Sequence, residues 1–498
     1  MKAVPKSLII GAGIAGIATA IRLAVQGHHV EVFEANAYPG GKLSEFEQGG
    51  FRFDAGPSLF TMPAYVDELF ALAGKKTADF FRYQKLDKVC QYFYEDGTQI
   101  MAFANTKLFA EDVYLNTDES TESIKKYLAR SAEIYRITNH VFLEKSLHRL
   151  KTYLNWDTIK SVFNFSKIDA FRTMHKANET FFKDDRLVQF YDRYATYNGS
   201  NPYSAPATLN VIPHLEQHFG AYFPEGGMYS IVTSLVMLAK SLGVKFHYNS
   251  PVSQIIVNNK KLIGLNVNGG IVSGDLVVSN MDVWFTYHKL LEGHEHLFPK
   301  KVLSQERSSS ALIFYWGISK QFPELELHNI FFSIDYKAEF DHIWIDKDIF
   351  YDPTIYLNIS SKYKPDDAPE GCENWFTMIN VPANTGQDWD SLIVTARENI
   401  LKKLTRILGD DIGELIVSES ILDPRSIESR TSSYQGSLYG TSSNSQFAAF
   451  LRHANRSSKI KNLYFCGGSV HPGGGIPLCL LSAKIVSDWI ADDFPKTS

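Results

Sequence analysis

The chain has 498 residues, with 44% hydrophobic and 21% charged side chains. At roughly 150 residues per domain that is about three domain-equivalents, and the balance excludes a disordered, collagen-like or coiled-coil protein. Lys and Arg total 50 against 55 Asp and Glu, a net charge of −5, so no global basic excess points to nucleic acid.

Four scattered cysteines (Cys90, Cys372, Cys466, Cys479) form no CxxC and no disulfide framework, which suits a reducing compartment. The aromatic share is 13%. It admits two readings, a well-filled core or a site for a long apolar ligand. Residues 8–25 are mostly apolar, but Gly11, Gly13, Gly16 and Arg22 interrupt them, so they read as the opening of a fold rather than an export signal. The expectation is a cytoplasmic protein.

Residues 7–10 (SLII) form a short apolar run that suits a buried parallel strand. Residues 14–26 then read as a helix stopped by Gly27, and Val30–Phe33 as a second strand ending at Glu34. This is a βαβ opening. Residues 105–195 look largely helical. A helix is expected over 228–242, followed by strands at 244–248, 252–257, 262–267 and 276–279. Residues 307–381 carry β-like runs at 311–317, 330–332, 354–360 and 375–381, and a helix follows over 390–408. The Ser-rich segment 431–446 holds Tyr434, Leu438 and Tyr439 and reads as an ordered loop.

Gly11-Ala12-Gly13-Ile14-Ala15-Gly16 is GxGxxG placed between a predicted strand and a predicted helix, the context that gives the motif meaning. Gly11 allows the tight turn, Gly13 lets backbone approach a pyrophosphate, and Gly16 lets helix and strand pack closely. The helix start at Ile14 and Ala15 offers N–H groups and a positive dipole end to phosphates. Glu34 is placed to accept hydrogen bonds from a ribose. NAD and FAD share this much.

Gly40-Gly41-Lys42 follows, where a second loop could close on the cofactor and Lys42 could supply charge to a phosphate. Near the C-terminus an apolar strand (Leu463–Phe465) runs into Gly467-Gly468. A Gly473-Gly474-Gly475 turn then leads to Ile476-Pro477 and an apolar helix. Proline suits the first helical turn. A helix N-terminus reached through bare glycines admits a flat ring, and its dipole favours the charge that reduced flavin carries.

These blocks resemble the flavin-dependent phytoene desaturase family of carotenoid desaturases. The resemblance is carried by Gly11–Glu34 with Gly40-Gly41-Lys42, Asp54-Ala55-Gly56-Pro57 and Phe223–Gly227. It continues through 446–484, with Gln446, Arg452, His471-Pro472-Gly473 and Gly475-Ile476-Pro477. Residues 193–230 look closest to the branch that acts on 1-hydroxycarotenoid ends, the 3,4-desaturases. Leu478 and Cys479 follow Pro477 where the family has a glycine, so the apolar wall differs there.

The resemblance implies an α/β fold: a Rossmann-type FAD-binding domain with an inserted mixed α+β substrate domain. The FAD domain would be discontinuous over 1–75, 222–282 and 418–498. The insertions 76–221 and 283–417 would form the substrate and membrane-facing domain. FAD would be held by Gly11, Gly13, Ile14, Ala15, Gly16, Glu34, Ala35, Gly40, Gly41, Lys42, Gly56, Pro57, Ser58, Val252, Asn280, Gly467, Gly468, Gly475, Ile476 and Pro477.

The implied reaction is desaturation of an acyclic carotenoid by hydride transfer to flavin N5 and loss of a proton from the neighbouring carbon. Phytoene desaturation, isomerisation or saturation on the same fold are alternatives, as is a flavin-free prenyl-lipid-binding protein. The polyene cation makes a strong base unnecessary. His471 is the candidate proton acceptor, with Asp282 and Glu225 behind it. His214 and His218 lie at i and i+4, but H-x-E-x-H is not a zinc motif and no metal is expected.

A polyene substrate dissolves in a bilayer, so peripheral membrane contact is expected. Residues 144–176 carry seven basic residues against three acidic, interleaved with Leu147, Tyr153, Trp156 and Phe163. That pattern fits an interfacial helix or an ordinary domain surface. The electron acceptor would be quinone or oxygen.

Overall fold

The computed structural model describes residues 4–139, 144–149, 152, 165–445 and 451–495. Its organising element is a five-stranded parallel sheet. The strand order is Lys245–His247, β2 (His29–Phe33), β1 (Lys6–Ile10), Leu276–Ser279 and Leu463–Phe465. These strands alternate between two apolar faces, as a two-residue period requires. Ile9, Val32, Val278 and Tyr464 face one way, against α1 (Ile14–Val25), helix Ser230–Ser241 and helix Ile476–Asp493. Leu8, Ile10, Val277 and Phe465 face the other, against the antiparallel sheet 252–273 and helix Val283–Leu290. Both faces are covered, which is the doubly wound arrangement expected from the opening motif.

The second large element is a seven-stranded sheet. Its order is Ile416–Leu422, Ser310–Ile318, Glu373–Val381, Ile355–Asn358, His328–Phe331, Lys88–Phe93 and Gln99–Phe103. All neighbours are antiparallel except His328–Phe331 with Lys88–Phe93. Trp316, Trp375 and Trp389 are buried with Ile400 and Leu404 where helix Trp389–Leu408 packs on one face. Ala311, Ile313 and Tyr315 pack on the other against Phe51 and Phe53.

Predicted strands at 311–317, 330–332, 354–360 and 375–381 all fall on observed ones. Three members of this sheet were not read from sequence: 88–93, 99–103 and 416–422. The last matters for chain organisation. The expected return to the first domain at 418 falls inside a strand that pairs along Ile313–Ile318. Residues 45–54 likewise form a hairpin whose Phe51 and Phe53 pack on the seven-stranded sheet. The helix expected over 228–242 spans Ser230–Ser241, and a strand Gly270–Ser273 adds to those expected nearby.

A short three-stranded sheet (Phe60–Thr61, Ala221–Pro224, Tyr83–Lys85) ties three distant segments together. Beside it, Asp54 accepts hydrogen bonds from the Met228 and Tyr229 amides at 3.0 and 3.1 Å. Two of the sequence blocks singled out above therefore meet. No helix among the described residues is long and apolar enough to cross a membrane.

Candidate active site

The first glycine turn has the form its spacing requires. Gly11 has φ +89°, open to glycine and strained for other residues. A Cβ on Gly16 would lie 2.2 Å from the Gly11 carbonyl oxygen, so only glycine lets α1 sit this close to β1. α1 starts at Gly13 with no side-chain cap, which leaves its first N–H groups for another partner.

Gly13 is also required by a contact within the protein. The space its missing Cβ would fill is met by Asn280 Nδ2 at 2.5 Å. Gly467, at the far end of the chain, meets Asn280 Oδ1 at 2.8 Å in the same sense. One amide at the end of strand Leu276–Ser279 therefore sits between the two glycine turns.

Glu34 is buried at the end of β2. Its Oε2 accepts from the Ala12 amide at 2.7 Å, and its Oε1 from the Asn36 amide at 2.9 Å. The carboxylate is thus fixed beside the first turn with lone pairs to spare. Ser250 N donates to the Glu34 carbonyl at 2.8 Å, which brings the chain leading to Val252 alongside. Ala35 is exposed at this edge.

Gly40 N donates to Ala12 O at 2.8 Å, and Gly41 packs against Gly13, so the second loop closes on the first. Gly56 admits the Lys42 carbonyl, which a Cβ would meet at 1.8 Å. Lys42 is engaged by the protein's own backbone. Its ammonium is buried and donates to the carbonyls of Ser437 and Leu438 at 3.0 and 2.7 Å. Burial pushes its pKa down to about 8, against the pull of Asp282. The lysine is a loop clamp: two carbonyls brought from the Ser-rich segment take two of its three hydrogens. Pro57 is exposed, and Ser58 shares a 2.7 Å hydrogen bond with Tyr356 of the large sheet.

At the C-terminal turn, Gly467 N donates to Ser482 Oγ at 3.1 Å, and Gly468 packs on Gly474. Gly475 (φ +97°) caps helix Ile476–Asp493 without a side-chain bond, with Pro477 in its first turn. A Cβ there would meet nothing within 4 Å. An open, uncapped helix start reached through bare glycine is the cradle that a planar ring needs. The residues present fit a flavin dinucleotide: one uncapped helix start for phosphates, a fixed carboxylate beside it, and a second open start for the ring.

Beyond that second start lies a cavity of about 220 Å³. Met62, Leu147, Leu209, Ile212, Leu478 and Leu481 give it apolar walls. The cavity joins the insertion around 138–216 to the glycine turn 472–477.

His471 lines it and is 1% exposed. Its Nε2 donates to the Lys145 carbonyl at 2.9 Å, so Nδ1 carries the lone pair. Nδ1 is buried with no partner among the described residues. Burial holds the imidazole near pKa 4, helped by the nearby His148 and Arg452, so it is neutral at physiological pH.

Asp282 is taken up elsewhere, capping helix Val283–Leu290 through Trp284 N at 2.9 Å and pairing with Arg307. Glu225 is exposed. His214 and His218 stack at 4.5 Å, and burial pushes His214 down to about 4. No metal-binding cluster occurs among the described residues.

Sequence reading passed over several cavity residues. Glu216 is buried and accepts from Tyr194 OH at 2.6 Å, from Arg193 Nη2 at 3.1 Å and from Tyr197 OH. Asn198 and Arg452 also line the cavity. Their signal was their place near a family motif, without a role.

The middle of the basic-aromatic stretch, including Lys151, Tyr153, Trp156, Lys160 and Phe163, lies outside the described residues, as does Gln446. Two described members turn inward. Leu147 lines the cavity, and Arg149 pairs with Asp492 over the Trp489 ring.

A nucleotide fold whose second glycine turn opens onto an apolar cavity defines a flavin-dependent oxidoreductase. The comparisons agree. The family described as flavin containing amine oxidoreductase matches residues 14–491. The chain belongs to that family, with FAD as its cofactor. It is 50% identical to a 1-hydroxycarotenoid 3,4-desaturase of Flavobacterium sp. over 485 residues, 97% of this chain and 99% of that one. It is 33% identical to a 4,4'-diapolycopene oxygenase of Methylomonas sp. over 98% of both chains. A solved oxidoreductase from Methanosarcina mazei shares the fold at 16% identity and a TM-score of 0.64, over 97% of this chain and all of that one.

Proposed function

We propose that this flavoenzyme is a carotenoid desaturase that forms a C–C double bond at the 3,4 position of an acyclic, 1-hydroxylated carotenoid. The observation that carries this reading is the full-length 50% identity to a protein of that activity, joined to an apolar cavity that ends at the glycine turn.

The domain division goes with it. FAD is assigned to the parallel-sheet unit built from 1–75, 222–282 and the C-terminal segment, taken to begin after Leu422. The substrate is assigned to the unit built on the seven-stranded sheet. The cofactor residues are those named from sequence, with Lys42 recast as a clamp on the 437–438 loop.

Flavin would supply a two-electron acceptor able to take a hydride from a carbon beside a polyene. The chain's own residues do the rest. The N–H groups at Ile14–Gly16 would hold the pyrophosphate and the Glu34 carboxylate a ribose. The helix start at Gly475–Pro477 would offer its positive dipole end to the ring. Apolar walls exclude water, which would otherwise trap a polyene cation. Neutral His471, which lines the cavity and whose Nδ1 is buried without a partner among the described residues, is assigned the proton lost from the neighbouring carbon. A weak base suffices, because a C–H bond beside a carbocation is strongly acidic.

The membrane reading is kept for the described part of 144–176. Ile168 and Ala170 line the cavity, and the adjoining Phe171 is 75% exposed, with Lys167 and Arg172 nearby in sequence. An exposed aromatic ring among basic residues suits a bilayer surface from which a carotenoid is drawn. Quinone or oxygen completes the cycle as electron acceptor.

The test is incubation of FAD-loaded protein with hydroxylated and plain acyclic carotenoids in liposomes. A red-shifted product lighter by two hydrogens supports the desaturase. A product heavier by oxygen would move the assignment to the oxygenases. An unchanged pigment across both substrates would reject it.

A further inference from the structure

An apolar cavity that binds only hydrocarbon has no use for buried polar groups left unpaired, because each costs free energy. This cavity has one such atom, Asn198 Oδ1, linked through Ser443 to a buried guanidinium that has no carboxylate partner among the described residues. Arg452 is 2% exposed. Its Nη1 donates to Tyr439 O at 3.2 Å and its Nη2 to Ser443 Oγ at 3.3 Å. Among the described residues no carboxylate pairs with it, and the charged group that acts on it is another cation, Arg307, which is unusual for a buried guanidinium. Gly473 makes room for it: a Cβ there would lie 3.3 Å from Arg452 Cζ. Asn198 Nδ2 donates to the same Ser443 Oγ at 3.1 Å, and its Oδ1 is buried without a partner. Asn198, Ser443 and Arg452 all line the cavity.

From this geometry we infer that Asn198 and Arg452, linked through Ser443, form the subsite that recognises the hydroxyl group of the substrate. The inference rests on the desaturase reading for the identity of the substrate. A hydroxyl both donates and accepts one strong bond, so it satisfies both residues at once. Its hydrogen goes to Asn198 Oδ1, and its oxygen accepts from the guanidinium. If the Asn198 amide is turned the other way, its NH₂ donates to the hydroxyl oxygen instead, so either orientation finds a complement.

Two further points favour a hydroxyl here. A guanidinium facing bare polyene would oppose a developing carbocation, whereas one engaged by an oxygen lone pair is partly screened. The locants also agree. Carbon 1, which carries the hydroxyl, is next but one to carbon 3, where the new double bond begins. The group that reads the hydroxyl must therefore sit beside the reacting carbons. Arg452 packs on Gly473, two residues before the helix start assigned to the flavin ring.

The test uses full-length, FAD-loaded protein and two carotenoids with identical polyenes, one 1-hydroxylated and one without the oxygen, delivered in phosphatidylcholine vesicles. Binding is read by quenching of tryptophan fluorescence, and turnover by the product spectrum. Wild type is expected to favour the hydroxylated carotenoid by about 10- to 100-fold, the range a dedicated hydrogen-bonding subsite gives. Asn198→Leu should bring that ratio close to one. Arg452→Met should do the same, with bound-flavin absorbance reporting that either variant is folded.

Equal binding of both carotenoids by wild type, or an unchanged ratio in folded variants, overturns the inference and leaves the desaturase reading standing if turnover persists. Preferential binding that the substitutions abolish, without turnover by wild type, upholds the subsite and removes the desaturase reading.

Discussion

Gly16→Ala tests whether the first glycine turn is set by packing or by ligand. Alanine is the better helix former by about 1 kcal/mol, so local propensity favours the change. Packing opposes it. The new Cβ would lie 2.2 Å from Gly11 O and 3.2 Å from Asn280 Nδ2. Ordinary contact begins near 3.4 Å, so the first turn of α1 must lift about 1 Å from β1, a shift of the kind that overpacking forces. The obstacle is a backbone carbonyl, which cannot rotate away as a side chain would.

Overpacking of this kind costs about 1–3 kcal/mol, less the propensity gain. The larger effect falls on the cofactor. A 1 Å displacement breaks a 2.9 Å hydrogen bond, and each bond to a phosphate is worth about 1.5–3 kcal/mol. FAD affinity is therefore expected to fall at least about tenfold. Gly74→Ala is the control. It has φ +67° but nothing within 4 Å and is exposed, so it should cost about 1–2 kcal/mol of strain and no flavin. The measurement is the ratio of absorbance at the flavin band to protein, with Tm alongside. A Gly16→Ala protein that purifies with the wild-type flavin ratio would refute the packing argument.

Acid stability follows from three buried imidazoles. Burial pushes His328 down to about 3 and His453 and His471 to about 4, below the ordinary 6.5. Above 6.5 their contribution is complete. As pH falls from 6.5 toward 4, the unfolded chain binds protons that the folded chain refuses, and stability is lost by up to roughly 2 kcal/mol each at pH 5. His175, where Asp192 overcomes burial, works the other way. A net fall in Tm of about 5 °C between pH 7 and pH 5 is expected by calorimetry, and a flat Tm would contradict it. Glu34→Gln removes the charge from the bond to Ala12 N. It should weaken FAD about 10- to 100-fold in fluorescence titration while costing only about 1 kcal/mol in urea unfolding. Lys167→Glu with Arg172→Glu should lower co-sedimentation with anionic liposomes about fivefold per site if this segment meets the bilayer. Undiminished binding would remove that face from consideration.

What could be read in advance was whatever depends on neighbours in sequence. The run 7–34 alternates strand, glycine turn, helix and strand within one short window, so hydrophobic period and glycine spacing suffice. The strands 88–93, 99–103 and 416–422 were not read. Lys88–Phe93 is buried almost throughout, so its sequence shows no alternation. Ile416–Leu422 lies at the sheet edge, half-exposed, and its polar Ser418, Glu419 and Ser420 look like a loop. Lys42 shows the same limit. Beside two glycines a lysine suggests phosphate, and its carbonyl partners, 395 and 396 residues away, leave no local signal.

Asn280 shows where such reading stops. From sequence, Gly13 is room for a pyrophosphate and Gly467 part of a turn that admits the flavin. In the structure Gly13 and Gly467 leave room for one protein amide, which meets the two glycine turns from the middle of the chain. A substitution at Asn280 would open space at both turns, so the two ends of the cofactor site are mechanically one. That coupling joins residues 13, 280 and 467, and no local pattern contains it. It predicts that Asn280→Ala, which clashes with nothing, loosens both glycine turns together. Limited proteolysis should then cut near both turns at once, whereas independent turns would be cleaved one without the other.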